Sequence, residues 1–243
     1  MARIYHTWHG YYPDTAPPFT TDGLVGHWDA GDASSYPGSG TDWFDLTANA
    51  NDGVLTNGPV YSSVGGDHIE FDGDNDYMNL GLIDSSNPLS LAGATAFSIE
   101  FWFNPAASGD DFQRLIDKGS GGVSSGGYGV LLRPSIGQLI LSINGGSFAP
   151  SPPLYAGWSQ IVISRDLSNK LYFYQNTFAF SSGASFSRAI PSTTTTMRVG
   201  TWAALSGREF NGQLGCFRVY NKQLSPSEIQ LNYDQLKGRY GLS

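Results

Sequence analysis

The run Glu70-Phe71-Asp72-Gly73-Asp74-Asn75-Asp76 concentrates side-chain oxygens within seven positions. On an extended strand Glu70 and Asp72 fall on the same face, ~6.8 Å apart along the chain. Two carboxyl groups flanking a sugar linkage can hydrolyse it, and retention of configuration requires them ~5–5.5 Å apart. Asp74 follows Gly73, where the strand is expected to turn, so it is not placed as a partner for the pair. The cluster Asp72, Asp74, Asn75 and Asp76 could instead supply hard oxygen ligands to Ca²⁺, which takes about 6–8 oxygens at ~2.3–2.6 Å. Asp and Asn are also ordinary turn formers that hydrogen-bond their own backbone, and both readings stand. A second acidic group, Asp29, Asp32, Asp42 and Asp45, flanks the loop SSYPGSG and could add a ligand from a distance.

Other chemistry is poorly supported. His6 and His9 have no cysteine and no third ligand nearby for zinc, and His27 and His68 lie in strand-like runs, where a structural role is expected. No G-x-S-x-G elbow accompanies the serines. The Gly-rich run Ser120–Gly129 lacks the Lys-Ser/Thr ending of a phosphate loop and reads as a hairpin. Cys216 is the one cysteine, so no intramolecular disulfide forms; a small buried side chain is expected there.

The elements that must hold these residues are short and extended. Only 14% of the 243 residues are charged, against roughly 25% on average, while 31 Gly and 13 Pro imply many turns. Strand-like runs cover residues 24–29, 68–71, 77–80, 97–103, 112–118, 128–133, 138–144, 158–165, 171–175, 197–200 and 214–220. In the clearest, Phe97, Ile99, Phe101 and Phe103 alternate with Ser98, Glu100 and Trp102. The pattern predicts a single all-β domain, a two-sheet antiparallel jelly-roll sandwich. One short C-terminal helix is predicted in SPSEIQLNYDQLKG, with Ser225 as cap, Pro226 at the first position and Glu228 completing a capping box. Its apolar stripe is Ile229, Tyr233 and Leu236, with Gly238 as the stop.

Trp102, Tyr172 and Tyr174 oppose the core-facing residues of their strands, which makes them candidates for stacking on glycan rings. Residues 1–22 form a separate arm, rich in proline and in the aromatics Tyr5, Trp8, Tyr11, Tyr12 and Phe19. Such rings are expected to pack on their own domain or on a neighbour, and the arm is the candidate assembly segment. A formal charge of −8 repels nucleic-acid phosphates, so no nucleic-acid partner is expected. No run approaches the ~20 apolar residues of a membrane span, and MARIYHTWHGYYPDT lacks the apolar core of a signal peptide.

The segments GLVGHWDAGDASSYPGSGTDWFDLTANANDGVLTNGP, HIEFDGDNDYMNL, AFSIEFWF and REFNGQLGCFRVYNKQLSPSEIQLNYDQLKGRYGL together resemble the laminin-G-like (concanavalin-A-like) jelly-roll family, over about residues 23–242. The opening DAGDASSYPGSGTDW and the ending LKGRYGL look like the versions found in virion structural proteins of tailed bacteriophages. The resemblance implies a jelly-roll domain over residues 23–243, calcium as a common but not universal ligand, and glycans as partners. It also implies assembly in the host cytoplasm, where no signal peptide is needed. Where the family often carries an acidic pair, this chain has Gly215 and Cys216. The run from Glu70 nearly matches the E-x-D-x-x-E motif of β-glucanases, but Asn75 stands at the last position and the acid/base partner is missing. The expectation is therefore a non-enzymatic virion structural protein, a capsid decoration, cement or tail-associated subunit, whose arm docks to other virion proteins or sister subunits. The alternatives are a carbohydrate-binding, lectin-like module, calcium-dependent or not, and a glycoside hydrolase acting through Glu70 and Asp72.

Overall fold

The computed structural model describes residues 19–107, 109–120, 124–150, 156–203 and 208–243. Its strands are β1 (Leu24–Asp29), β2 (Asp42–Trp43), β3 (Gly53–Thr56), β4 (Val60–Ser62), β5 (His68–Asp72) and β6 (Tyr77–Ile83). There follow β7 (Phe97–Pro105), β8 (Gln113–Lys118), β9 (Tyr128–Arg133), β10 (Gln138–Ile143) and β11 (Gly146–Phe148). The last are β12 (Ser159–Arg165), β13 (Lys170–Gln175), β14 (Phe178–Ser185), β15 (Thr195–Val199) and β16 (Asn211–Tyr220), before helix α1 (Pro226–Leu236).

The strands form two eight-stranded antiparallel sheets, as the periodicity predicts. The first runs β14-β13-β12-β7-β16-β5-β4 with β1 also paired to β16, and the second runs β11-β10-β9-β8-β15-β6-β3-β2. Their inner faces meet in one core. Phe97, Ile99, Phe101 and Phe103 of β7 face Leu115, Val130, Leu132 and Leu141 of the second sheet within it. Phe217 stacks between Trp28 and Phe101, with ring centroids 5.0 and 5.1 Å away. Interdigitated rings of this size exclude water from the whole interlayer, and each fully buried large apolar side chain contributes about 1.5–3 kcal/mol.

Helix α1 begins as its sequence dictates. Ser225 Oγ accepts from the Glu228 amide and Glu228 Oε2 accepts from the Ser225 amide, closing the capping box. Gly238 is not the stop, however. The chain tightens into a 3-10 turn over Lys237–Tyr240 and ends at Gly241, whose φ of 69° is left-handed and costs glycine nothing. The extra turn carries Arg239 and Tyr240 back over the first sheet. As a result β7 is buried on both faces rather than one, with Ser98, Glu100 and Trp102 inaccessible to solvent.

Candidate functional site

The outer face of the first sheet is closed by α1 and the turn that follows. Trp102 stacks on Tyr233 and Tyr240 at 5.6 and 5.2 Å, and Trp158 covers the other side of Tyr240 at 4.1 Å. Tyr174 is buried in a cluster with Leu224 and Ile229. Neither ring has a face open to a sugar, which corrects the expectation for Trp102 and Tyr174: the helix stripe needs an apolar surface to cover, and these rings are that surface. Tyr172 is half-buried and donates its hydroxyl to Asp166 at 3.1 Å. The departure at Gly215 and Cys216 has the same cause. A Cβ on Gly215 would fall 1.9 Å from the Tyr240 hydroxyl, and Cys216 is wholly buried beside Trp102. An acidic pair there would displace the C-terminal turn.

Beneath the helix lies a closed polar network. Glu100 Oε1 accepts from Gln160 Nε2 at 2.9 Å, Trp102 Nε1 at 3.2 Å and Arg218 Nη1 at 3.4 Å, and its Oε2 accepts from Asn232 Nδ2 of α1 at 2.6 Å. Arg218 donates Nε to His27 Nε2 at 3.1 Å and Nη2 to Gln235 at 2.7 Å. Burial first, then the Arg218 charge, pull the His27 pKa down to about 3, so the ring is a neutral acceptor. Burial pushes Asp29 up, but the adjoining Arg239 guanidinium outweighs it and holds that carboxyl below its usual range.

This network is also where the arm joins. Phe19 meets His27 edge-on at 4.9 Å and lies under the Arg218 guanidinium at 4.5 Å, and the Thr20 amide donates to Asn232 at 2.9 Å. Asp22 pairs with Lys222 at 2.5 Å. The described end of the arm thus packs on its own domain, beside a cleft of about 810 Å³ lined by Phe19, His27, Asp32, Leu46 and Arg239. Tyr5, Trp8, Tyr11 and Tyr12, with His6 and His9, lie outside the described residues.

The acidic turn after β5 uses its oxygens locally. Asp72 Oδ1 accepts from the amides of Asp74 at 2.8 Å and Asn75 at 3.3 Å, and these bonds hold Asp72 below its usual range. Asp76 is buried, accepts from the Asp72 amide at 3.2 Å and is pushed up by that burial. Of the expected calcium ligands Asp72, Asp74, Asn75 and Asp76, Asp72 and Asp76 thus spend carboxylate oxygens on the turn's own amides. Among the described residues the group of three potential ligands lying within 4.8 Å of one another is His27, Asp29 and Cys216. Arg218 and Arg239 already occupy the first two, so this group serves the network. Asp45 likewise accepts from the amides of His27 at 3.0 Å and Thr47 at 2.9 Å, and Asp32 from that of Ser34 at 2.8 Å. The second acidic region shapes loops. His68 donates its Nδ1–H to the Gly66 carbonyl at 2.6 Å, a structural role.

The outer face of the second sheet is different. Register aligns Arg114 of β8 with Leu131 of β9, and Leu131 with Ile140 of β10. With Phe112, Ser147, Trp202 and Arg208 they line a cleft of about 260 Å³. The Arg114 guanidinium lies over Trp202 at 5.0 Å, and those of Arg133 and Arg208 over Phe112 at 4.9 and 5.2 Å. Arg114 also pairs with buried Asp117 at 3.3 Å, and Arg133 with Asp111 at 3.2 Å. Phe112 and Arg208 both hold left-handed backbone, φ 68° and 70°, a conformation costing non-glycine residues roughly 1–2 kcal/mol. None of this group was a sequence candidate, because its members are drawn from positions 112 to 208 and only strand register brings them together.

The laminin-G model described as "Concanavalin A-like lectin/glucanases superfamily" matches residues 72–230. No curated protein matches the chain. Among solved structures, Trypanosoma rangeli sialidase with sialic acid aligns at a TM-score of 0.64 and 12% identity, over 89% of this chain and 33% of that one. The binding domain of botulinum neurotoxin DC in complex with SialylT aligns at 0.66 and 10%, over 88% and 52%. Domain 4 of a GH43 extracellular arabinanase from Geobacillus stearothermophilus, in complex with arabinotriose, aligns at 0.58 and 15%, over 85% and 96%. The chain therefore spans a third of the sialidase and half of the toxin's binding domain, and at such identities the likeness is one of fold. With its paired sheets, its capped final helix and a family match over most of its length, this chain belongs to the concanavalin A-like lectin/glucanase superfamily.

Proposed function

We propose that the chain is a non-enzymatic recognition domain that binds carbohydrate. The observation that carries this reading is the cleft of about 260 Å³ on the second sheet, where the rings of Phe112 and Trp202 and the side chains of Arg114 and Arg208 meet. The solved complexes of similar folds with sialic acid and arabinotriose support it. Against hydrolysis, Glu70 and Asp72 stand exposed on β5 with Asn75 at the third position, and turn amides keep Asp72 ionised rather than ready to protonate a leaving group. A glycan array with wild-type protein tests binding. Hydrolysis of any bound glycan that is lost in Glu70→Gln would overturn the non-enzymatic part.

A second reading concerns where this domain works. Its sequence resemblance to tailed-bacteriophage virion proteins supports a capsid decoration, cement or tail-associated subunit, with the sandwich facing outward and the arm docking to the particle. The specific observation in its favour is that Phe19, Thr20 and Asp22 are fastened to the body through Arg218, Asn232 and Lys222, which gives the preceding residues a fixed point of departure. Deleting residues 1–18 is expected to abolish incorporation into particles while leaving the sandwich folded; unchanged incorporation contradicts the docking role.

A further inference from the structure

Beyond Trp202 the outer face of the second sheet continues over β15, β6 and β3, where none of the cleft's lining residues lies. Register sets Val54 of β3 opposite Asn79 of β6, and Asn79 opposite Arg198 of β15, so the three side chains form one row on that face. Thr196 and Leu82 face each other one step along it. The alternate neighbours Leu55, Met78, Met197 and Val199 are core residues, which fixes the row as outward. Unlike the outward residues of β7, none of this group is buried. Val54 is 46% and Leu82 71% exposed, and Tyr77, Asn79, Thr196 and Arg198 are half-buried.

The polar groups of the row are held in place and left without partners. Two residues of β15, from Thr196 to Arg198, oppose three of β6, from Leu82 to Asn79, so β6 carries a bulge, and Gly81 within it has a left-handed φ of 73°. The Gly81 amide donates to Asn79 Oδ1 at 3.1 Å. An N–H can bond only the oxygen of a carboxamide, so this contact fixes which way Asn79 is turned, and its Nδ2 keeps two donors that no group of the protein accepts. The Arg198 guanidinium lies over the Tyr77 ring at 4.7 Å and donates Nη1 to the Trp202 carbonyl at 3.3 Å, while its Nε has no partner. Ring and carbonyl hold the plane still, so its remaining donors need little ordering to meet a ligand. Val54 and Leu82 set exposed apolar surface beside these donors, and a sugar presents the matching alternation of hydroxyls and C–H faces.

The row and the cleft belong to one surface. In the order β10-β9-β8-β15-β6-β3 the cleft takes the first three strands and the row the last three, a span of ~24 Å at ~4.8 Å per strand. Trp202 joins the two, with its ring against Arg114 of the cleft and its carbonyl on Arg198 of the row. We infer that this face binds a linear oligosaccharide several residues long, one end in the cleft and the chain running past Trp202 onto Arg198, Asn79 and Val54. The inference rests on the carbohydrate reading above and adds the length of the glycan and a second set of contacts. One sugar ring in the cleft leaves the row's donors to water; an extended chain reaches both.

Calorimetric titration of the full chain with size-graded linear arabinan, β-glucan, β-xylan and N-acetyllactosamine series, each from disaccharide to hexasaccharide, tests it. In a series that binds, the hexasaccharide is expected to bind about tenfold or more tightly than the disaccharide. Asn79→Asp keeps the acceptor for the Gly81 amide, and with it the bulge, but removes both donors. In that variant and in Arg198→Gln the gain from disaccharide to hexasaccharide should shrink to about threefold or less, whereas Arg208→Gln in the cleft weakens every length alike. A wild-type affinity that does not depend on length overturns the inference and leaves the carbohydrate reading intact. A length gain that both row variants retain in full overturns the assignment to this row. Absence of binding in every series overturns both readings.

Discussion

The two outer faces of this sandwich are built from the same material and end differently. On the first sheet, Trp102, Tyr174, Glu100 and Arg218 point outward from central strands and are sealed by α1 and the turn through Tyr240. On the second sheet, Arg114, Leu131 and Ile140 point outward from comparable strands and are buried too, but beside a cleft of about 260 Å³ that they line with Phe112, Trp202 and Arg208. What separates them is the C-terminal segment, which supplies Asn232, Gln235, Tyr233 and Tyr240 to one face. The outward aromatic and charged residues of the first sheet are therefore structural because the chain's last two dozen residues cover them.

The contrast can be broken most forcefully at the buried ion pair. Arg218→Met leaves Glu100 without its cation in a site closed to water and is expected to cost about 3–5 kcal/mol in urea unfolding, whereas Arg208→Gln on the open face stays within about 0.5 kcal/mol. Similar costs for the two would mean that the faces are not distinct. Trp102→Ala removes a fully buried indole from between Tyr233 and Tyr240, and about 3 kcal/mol or more of stability should go with it. Glycan affinity of the folded fraction should be unaffected; a selective loss of affinity would return Trp102 to the binding face.

Acid should weaken the sealed face by a calculable route. His27 has a folded-state pKa of about 3 against an ordinary value of 6.5, so the unfolded chain binds its proton first. Its contribution is fully present above about pH 6.5 and is lost as the pH falls toward 3, by up to about 1.4 kcal/mol per pH unit. Asp29, depressed by Arg239, adds a loss in the same direction at the acidic end. His27→Gln keeps an acceptor for Arg218, and the stability difference between wild type and variant should change between pH 6.5 and 4 and be flat above pH 7. A difference that is flat throughout would show the imidazole to be solvated. The smallest effect is expected at the helix start, where Ser225→Ala removes a cap and costs about 1 kcal/mol.

The sequence made legible those elements whose signals are local. Strands with strong alternation, such as β7, and the capping box at Ser225 are readable because neighbours within a few residues define them. The strands β2, β3, β4, β11 and β14 escaped because they are short or lie at sheet edges, and β14 buries none of its side chains. Phe112 read as strand yet stands outside β8 with left-handed backbone. Gly238 read as a helix stop because nothing local announces that a 3-10 turn will run on to Gly241. Alternation along β7 marked Trp102 as outward, correctly, but periodicity carries no information about a layer contributed by residues more than a hundred positions later. The arginine cleft was invisible for the same reason.

The central claim is that recognition takes place at the second sheet's cleft, at Phe112, Trp202 and Arg208, and not on the first sheet's face. The direct measurement is an NMR titration of the whole chain with the tightest-binding glycan of the array, following backbone amides and indole N–H resonances. The account predicts shifts at Phe112, Trp202 and Arg208, with Trp102 and Trp158 unmoved. Shifts confined to Trp102, Trp158 and the residues of α1 would contradict it.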